Sequence, residues 1–257
     1  MTSSDDDFLP IESVAQLSCA LRRLELADQT HAHWHNWFRG HSRTDWLLKP
    51  GVYRSTFGQP LSERDRLSLE QHLNQKFTVM SAGLRTGRES VEEIYFLQQH
   101  YGMPTRLLDW TTSALAAPYF ACCGDPDLDG DGALFLMDAY KFRFPNSVPK
   151  SRRGIATSRR PEICSAIRVI SEWQDETHFS DYIMPVRPDS FDRRVSLQRS
   201  CFTFHVPKHP ELTKAENPTL RKLQVLGSKK ENILRELRLL GIDHFSIFGT
   251  LNTWLNS

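Results

Sequence analysis

Two stretches of the chain concentrate side chains that grip anions or move protons: WFRGHSRTDWLLKPGVYR at 37–54 and QQHYGMPTRLLDWTTSALAAPYFA at 98–121. In the first, Arg39 follows an aromatic residue and precedes Gly40. A guanidinium on a short strand, beside a backbone without Cβ, suits bidentate binding of a phosphate or carboxylate. In the second, Thr111, Thr112 and Ser113 end one element and open a helix, offering hydroxyls and free N–H groups to an anion. Tyr119 and Phe120 on that helix are placed to wall a planar ring. Thr105, Arg106, Asp109 and His100 complete the set. Such polar groups are costly to bury without a purpose, so residues 37–41 and 104–113 are expected to line one cleft. The architectural alternative pairs Arg106 with Asp109 inside a buried turn and leaves Trp46 and Trp110 as core.

Three further clusters have chemical readings. HAHWHNWFRGH holds four of the ten histidines, and on a strand His31, His33 and His35 share one face, a potential Zn site. No acidic partner lies nearby, so an ordinary exposed strand is the better expectation and no metal is expected. Asp125, Asp127, Asp129 and Gly130 match the opening of a calcium loop, but its twelfth position is Leu136 instead of a bidentate Glu. A hairpin turn fits better. Arg152, Arg153, Arg159 and Arg160, with Arg187, Arg193, Arg194 and Arg199 further on, can engage the phosphates of a nucleic acid or simply be solvated.

The elements that must position these groups follow from periodicity. Ser13 and Gln16 cap a helix carrying Val14, Leu17, Leu21 and Leu24. A strand over His31–Arg39, closed by Gly40, follows. Ser62 opens a second helix with Leu69, Leu73, Phe77 and Met80 as its stripe. Ser90 and Glu93 form a capping box for a third, ending at Gly102. Arg106–Thr111 reads as a strand and Ala114–Ala121 as a helix that Pro118 should kink. Ala133–Met137 is a strand, and 142–161 a mobile loop. Strands are expected near Ala166–Ile170, Tyr182–Val186, Cys201–Val206 and His244–Phe248, with a Ser228-capped helix carrying Ile233, Leu234, Leu237 and Leu240 before the last.

Composition bounds the class. With 257 residues, 39% hydrophobic and 25% charged, the chain reads as one globular α+β domain. No apolar run reaches the ~18 residues of a membrane span, so no membrane partner is expected. The acidic start MTSSDDDFLP is unlike a signal peptide, and five cysteines without a C-x-x-C pair fit reduced thiols, so a cytoplasmic protein is expected. Net charge is +1, yet residues 141–200 hold 12 Lys and Arg against 7 Asp and Glu, a local +5.

The two dense blocks resemble the FRG domain, named for the Phe-Arg-Gly found here at Phe38, Arg39 and Gly40. The first block is similar to the family's F-R-G, Trp, Leu-x-Pro and later Arg. The second is similar to its Q-H-x-G-x-P-T-R-L-L-D-W-T signature. RVSLQRSCFTFH and KKENILRELRLLGIDHFSIF resemble its later blocks, with Ser200 where Gly is usual. The resemblance implies an FRG domain over 11–257, after a disordered acidic tip at 1–10. The motif order also resembles ADP-ribosyltransferases of the Arg–Ser–Glu type. That likeness implies a split mixed sheet flanked by helices, and NAD as substrate. Arg39, Gly40, Thr105, Arg106, Thr111, Ser113 and Tyr119 would then bind the cofactor. It further implies an effector or toxin, as in bacterial anti-phage defence, that modifies a protein or nucleic acid. Gln198 falls where the catalytic Glu is expected, and a Gln cannot serve as a general base. Asp109, His100, Glu92 or Glu93 would have to supply one. Two alternatives stay open: a non-catalytic nucleotide or nucleic-acid binding module, and a metal-dependent nuclease built on His31, His33 and His35.

Overall fold

A computed structural model describes residues 10–28, 36–54, 61–123, 130–175, 179–188 and 199–248. His31, His33, His35, the aspartates 125–129, Arg193, Arg194 and Gln198 lie outside them. Seven strands form one mixed sheet: β1 (Asn36–His41), β2 (Leu107–Thr111), β3 (Gly132–Asp138), β4 (Ala156–Thr157), β5 (Met184–Arg187), β6 (Ser200–Phe204) and β7 (Arg221–Val225). Their order is β4-β5-β6-β2-β1-β3-β7, parallel only between β4 and β5. β1 pairs with β3 over its whole length and β2 with β6 over five positions. Between β1 and β2 the register holds a single pair, Phe38 with Thr111. A four-stranded block and a three-stranded block thus meet at a narrow seam.

Helices flank the two blocks separately. α1 (Val14–Asp28), α4 (Ala116–Cys122), α6 (Lys230–Leu239) and α7 (His244–Phe248) pack on Phe38, Leu134, Leu136, Leu223 and Val225. α2 (Glu63–Met80), α3 (Val91–His100) and α5 (Pro161–Ser171) pack on Leu107, Met184, Val186, Phe202 and Phe204. A third cluster spans the seam on the opposite face, from Trp37 and Phe135 to Leu108, Trp110 and Cys201. α4 crosses β1 very closely: a Cβ at Gly40 would lie 2.0 Å from the Ala117 carbonyl oxygen and 2.5 Å from the Ala121 nitrogen. The Gly of Phe-Arg-Gly is therefore explained by helix packing.

Several sequence expectations are corrected. Ala166–Ile170 is helix, not strand: Ile163, Ala166, Ile167 and Ile170 are buried at helical spacing, and Pro161 stands at its first turn. His244–Phe248 is helix because Asp243 and Ser246 exchange capping bonds at 2.8 Å. The strand β7 went unread although Leu223 and Val225 alternate with exposed Lys222 and Gln224. Residues 142–161 include β4 and bury Phe142, Val148, Ala156 and Ser158. Arg153 and Arg160 hold that segment through main-chain carbonyls. β1 runs on through Gly40 to His41. Met80 and Leu240 are exposed, and no Ser228 side chain caps α6. Pro118 sits in the first turn of α4, where an N–H has no helical partner, so the reason for a kink disappears. The capping box at Ser90 and Glu93 and the Gly102 stop (φ +76°) are present.

Candidate ligand-binding site

At the seam, where β1 and β2 part beyond Phe38 and Thr111, the gap is bridged by a side chain. Arg39 Nη1 donates to the Asp109 main-chain oxygen at 2.6 Å and lies 3.8 Å from the Asp109 carboxylate. Arg39 Nε donates to His41 Nε2 at 2.8 Å. The two share a strand face because they are two residues apart. His41 Nδ1 lies 3.3 Å from the Trp46 carbonyl oxygen, so the ring is the Nδ1–H tautomer. Burial, then the Arg39 charge, holds the His41 pKa down at about 3. It is neutral at physiological pH and orients Arg39. Burial lowers the Arg39 pKa to about 10 against the pull of Asp109, which still leaves the guanidinium charged.

A cavity of about 470 Å³ opens over this pair. Its walls are aromatic: Phe38, Trp46, Phe96, Trp110, Phe120 and Phe202. Its polar lining comes from Arg39, His41, Arg54, Gln99, His100 and Asp109. A second cavity of about 290 Å³, edged by Gly51, Met103, Pro104 and Leu108, shares Arg39, Arg54, Gln99, Gly102 and Asp109 with the first. Both volumes fall in the range of small-molecule sites, about 300–1,000 Å³ or just under it. The two guanidiniums and the carboxylate form the waist between the lobes.

Asp109 lines both lobes, and about half its side chain is exposed. Burial among the surrounding protein raises its pKa, while Arg39 and a hydrogen bond from Gln99 (2.7 Å) oppose the rise. Burial also lowers Arg54, with Asp109 acting the other way.

The structure sorts the expected site residues. Arg39, Gly40, Asp109, Thr111 and His100 line the large cavity. Arg106 does not. It is fully buried, with Nε and Nη2 on Glu70 (2.6–3.1 Å), Nη2 also on Glu63 (2.7 Å) and Nη1 on the Tyr53 hydroxyl (2.5 Å), and its guanidinium lies over the Phe179 ring. The expected Arg106–Asp109 pair is replaced by pairs to α2. Thr105 is buried, bound to Gln99 and to the Leu107 N–H. Ser113 caps the Ala116 N–H, Thr111 accepts from the Ser113 N–H and the Thr112 N–H donates to the Arg199 carbonyl oxygen, so these three N–H groups are committed to the chain. Tyr119 belongs to the core, while its neighbour Phe120 walls the cavity. Glu92 is buried and Glu93 completes the α3 capping box. Sequence reasoning gave no role to His41, Arg54 or Gln99; the i, i+2 spacing of Arg39 and His41 was the available signal.

Residues 34–129 match the family model of the FRG domain. Over those residues the chain is similar to the FRG domain. The FRG match contains β1, β2 and the three helices α2, α3 and α4, and with them most of the cavity lining. No curated protein and no solved structure matches the chain. Among the described residues, no three His, Cys, Asp or Glu converge as metal ligands, and no helix is long and apolar enough to cross a membrane.

Proposed function

We propose that the FRG domain binds NAD across the two lobes and cleaves its nicotinamide–ribose bond, passing the ADP-ribosyl group to an acceptor. The observation that carries this reading is the waist: Arg39 and Arg54 beside Asp109, between an aromatic lobe and a smaller one. Two guanidiniums suit a pyrophosphate, and aromatic walls suit a base or a nicotinamide ring. Arg39 spends Nε and one Nη1 hydrogen on His41 and Asp109, and offers its remaining N–H groups to the ligand.

In the proposed reaction the C1′–N bond breaks, and its electron pair leaves with nicotinamide, neutralising the ring nitrogen. Positive charge develops on C1′ and the ribose oxygen, and the Asp109 carboxylate stabilises it. An acceptor hydroxyl then bonds to C1′ and gives its proton to Asp109, whose raised pKa suits a base. Water as acceptor would make the domain an NAD hydrolase. The order of aromatic-Arg-Gly strand, Ser/Thr-ended strand and helix with Phe-Ala supports a likeness to ADP-ribosyltransferases. An effector or toxin with a protein or nucleic-acid acceptor follows from that likeness. Gln198 instead of Glu favours a second reading, a domain that holds a nucleotide without cleaving it.

The test is calorimetry with NAD, followed by nicotinamide release and label transfer in a cell extract. Wild type should bind NAD, Arg39→Lys should bind at least ~30-fold more weakly, and Asp109→Asn should bind without releasing nicotinamide. Binding with no release by wild type would establish the second reading. Absence of NAD binding would end the proposed reaction.

A further inference from the structure

We infer that Gln99 and Thr105 are positioning residues for the Asp109 carboxylate, linked in one hydrogen-bonded line that starts at the backbone. The inference rests on the reading of Asp109 as the working carboxylate of this site. The Leu107 N–H donates to Thr105 Oγ1 at 3.0 Å. The hydroxyl then turns its own hydrogen to Gln99 Oε1. That contact fixes the amide, and Gln99 Nε2 donates to Asp109 Oδ2 at 2.7 Å. Reversing the amide would set Oε1 against a carboxylate oxygen, so an ionised Asp109 and the Leu107 N–H enforce one direction along the line.

The line spans two elements. Gln99 stands in the last turn of α3, and Thr105 precedes β2. The turn between them is closed by the Met103 N–H on the Gln98 carbonyl oxygen, with Gly102 at φ +76°. Its length brings a threonine back beneath the helix end, and gives Gln99, Gly102, Thr105 and Asp109 of the Q-H-x-G-x-P-T-R-L-L-D block one common purpose. A neutral donor at 2.7 Å favours the charged carboxylate, as does Arg39. The other titratable and charged groups around Asp109 are His41 on β1, Arg54 beyond the Gly51–Tyr53 turn, His100 on α3 and Cys201 on β6.

The experiment reads Asp109 itself and needs no NAD. The full chain is labelled with ¹³C-aspartate, and the Asp109 carboxyl signal, assigned by its loss in Asp109→Asn, is titrated with pH. Gln99→Met should raise its midpoint by about one to two pH units, the worth of one hydrogen bond to a charged group. Thr105→Val should raise it in the same direction, and Thr105→Ser, which keeps the hydroxyl, should restore it. A merely structural role would lower melting temperatures and leave the midpoint where it was. A wild-type midpoint in Gln99→Met overturns the inference, and that variant carries the test alone if Thr105→Val does not fold. Failure of NAD binding with the midpoint shifted would overturn the proposed function and leave this inference standing.

Discussion

Replacing Arg106 by Met tests whether the most buried cation of the signature serves the frame or the ligand. Arg106 has no exposed side-chain surface, and Glu70 is 2% exposed. Removing the guanidinium strands the Glu70 carboxylate, leaves Glu63 paired with Arg66, frees the Tyr53 hydroxyl of its Arg106 bond, and exposes one side of the Phe179 ring to a thioether. Breaking a buried pair from one side costs about 3–5 kcal/mol. At roughly 2–4 °C per kcal/mol for a chain of this size, the melting temperature should fall by about 6–20 °C. The loss should depend on pH. In the wild type, burial raises the Glu70 pKa, and Arg106 is the first influence that lowers it. Without Arg106 the folded-state pKa climbs further above the unfolded one. The folded state then binds the proton more tightly, so stability falls as pH rises from about 4.3 towards the new pKa. Urea denaturation followed by tryptophan fluorescence at pH 5 and pH 8 measures both effects. A deficit larger at pH 8 is expected. A variant within about 1 kcal/mol of wild type at pH 8, or a deficit equal at both pH values, would refute the reasoning.

Gly40→Ala should abolish the stable fold or cost several kcal/mol, because the methyl group meets the backbone of α4 at 2.0 Å and neither β1 nor α4 can yield without opening the core. Circular dichroism melts check it, and a well-folded Gly40→Ala would show that α4 stands off the strand. His41 and His205 are both held down to about 3 by burial. Their unfolded forms bind protons first, so stability should fall as pH drops from about 6.5 towards 3, each adding a slope near ~1.4 kcal/mol per pH unit. Denaturation midpoints of wild type and His41→Gln across pH 4–7 should differ in that slope.

How much could be read from sequence differs by element. Helices α1, α2 and α3 announced themselves through caps and periodicity, β2 and β3 through apolar runs, and β6 through the alternation of Phe202 and Phe204 with Thr203. α5 escaped because four of the five residues Ala166–Ile170 are apolar and imitate a strand, although Pro161 marked a helix start. In the site, Arg39 and Asp109 were legible because a strand-borne Arg beside Gly and an Asp in a Thr-rich block have few cheap roles. Arg106 misled for a physical reason: its carboxylate partners sit 36 and 43 residues away on α2, and no local pattern reveals them. His41 and Gln99 are tied to the site through Arg39 and Asp109, so their roles emerge once distances are known.

The seam has a consequence for how the fold can be divided. Along the chain the strands alternate between blocks: β1 in one, β2 in the other, β3 back in the first, β4 to β6 in the second, β7 in the first again. The FRG match ends at residue 129, so it holds both seam strands but neither β3 nor β6, the partners that complete their ladders. Excised, that segment would keep one ladder pair between its two strands and bare the outer edge of each. The stretch that carries the recognisable signature is therefore expected not to fold when excised. Its two strands are stitched into place by sequence beyond the signature, and the cavity takes Ser200, Phe202 and Phe248 of its lining from that later sequence.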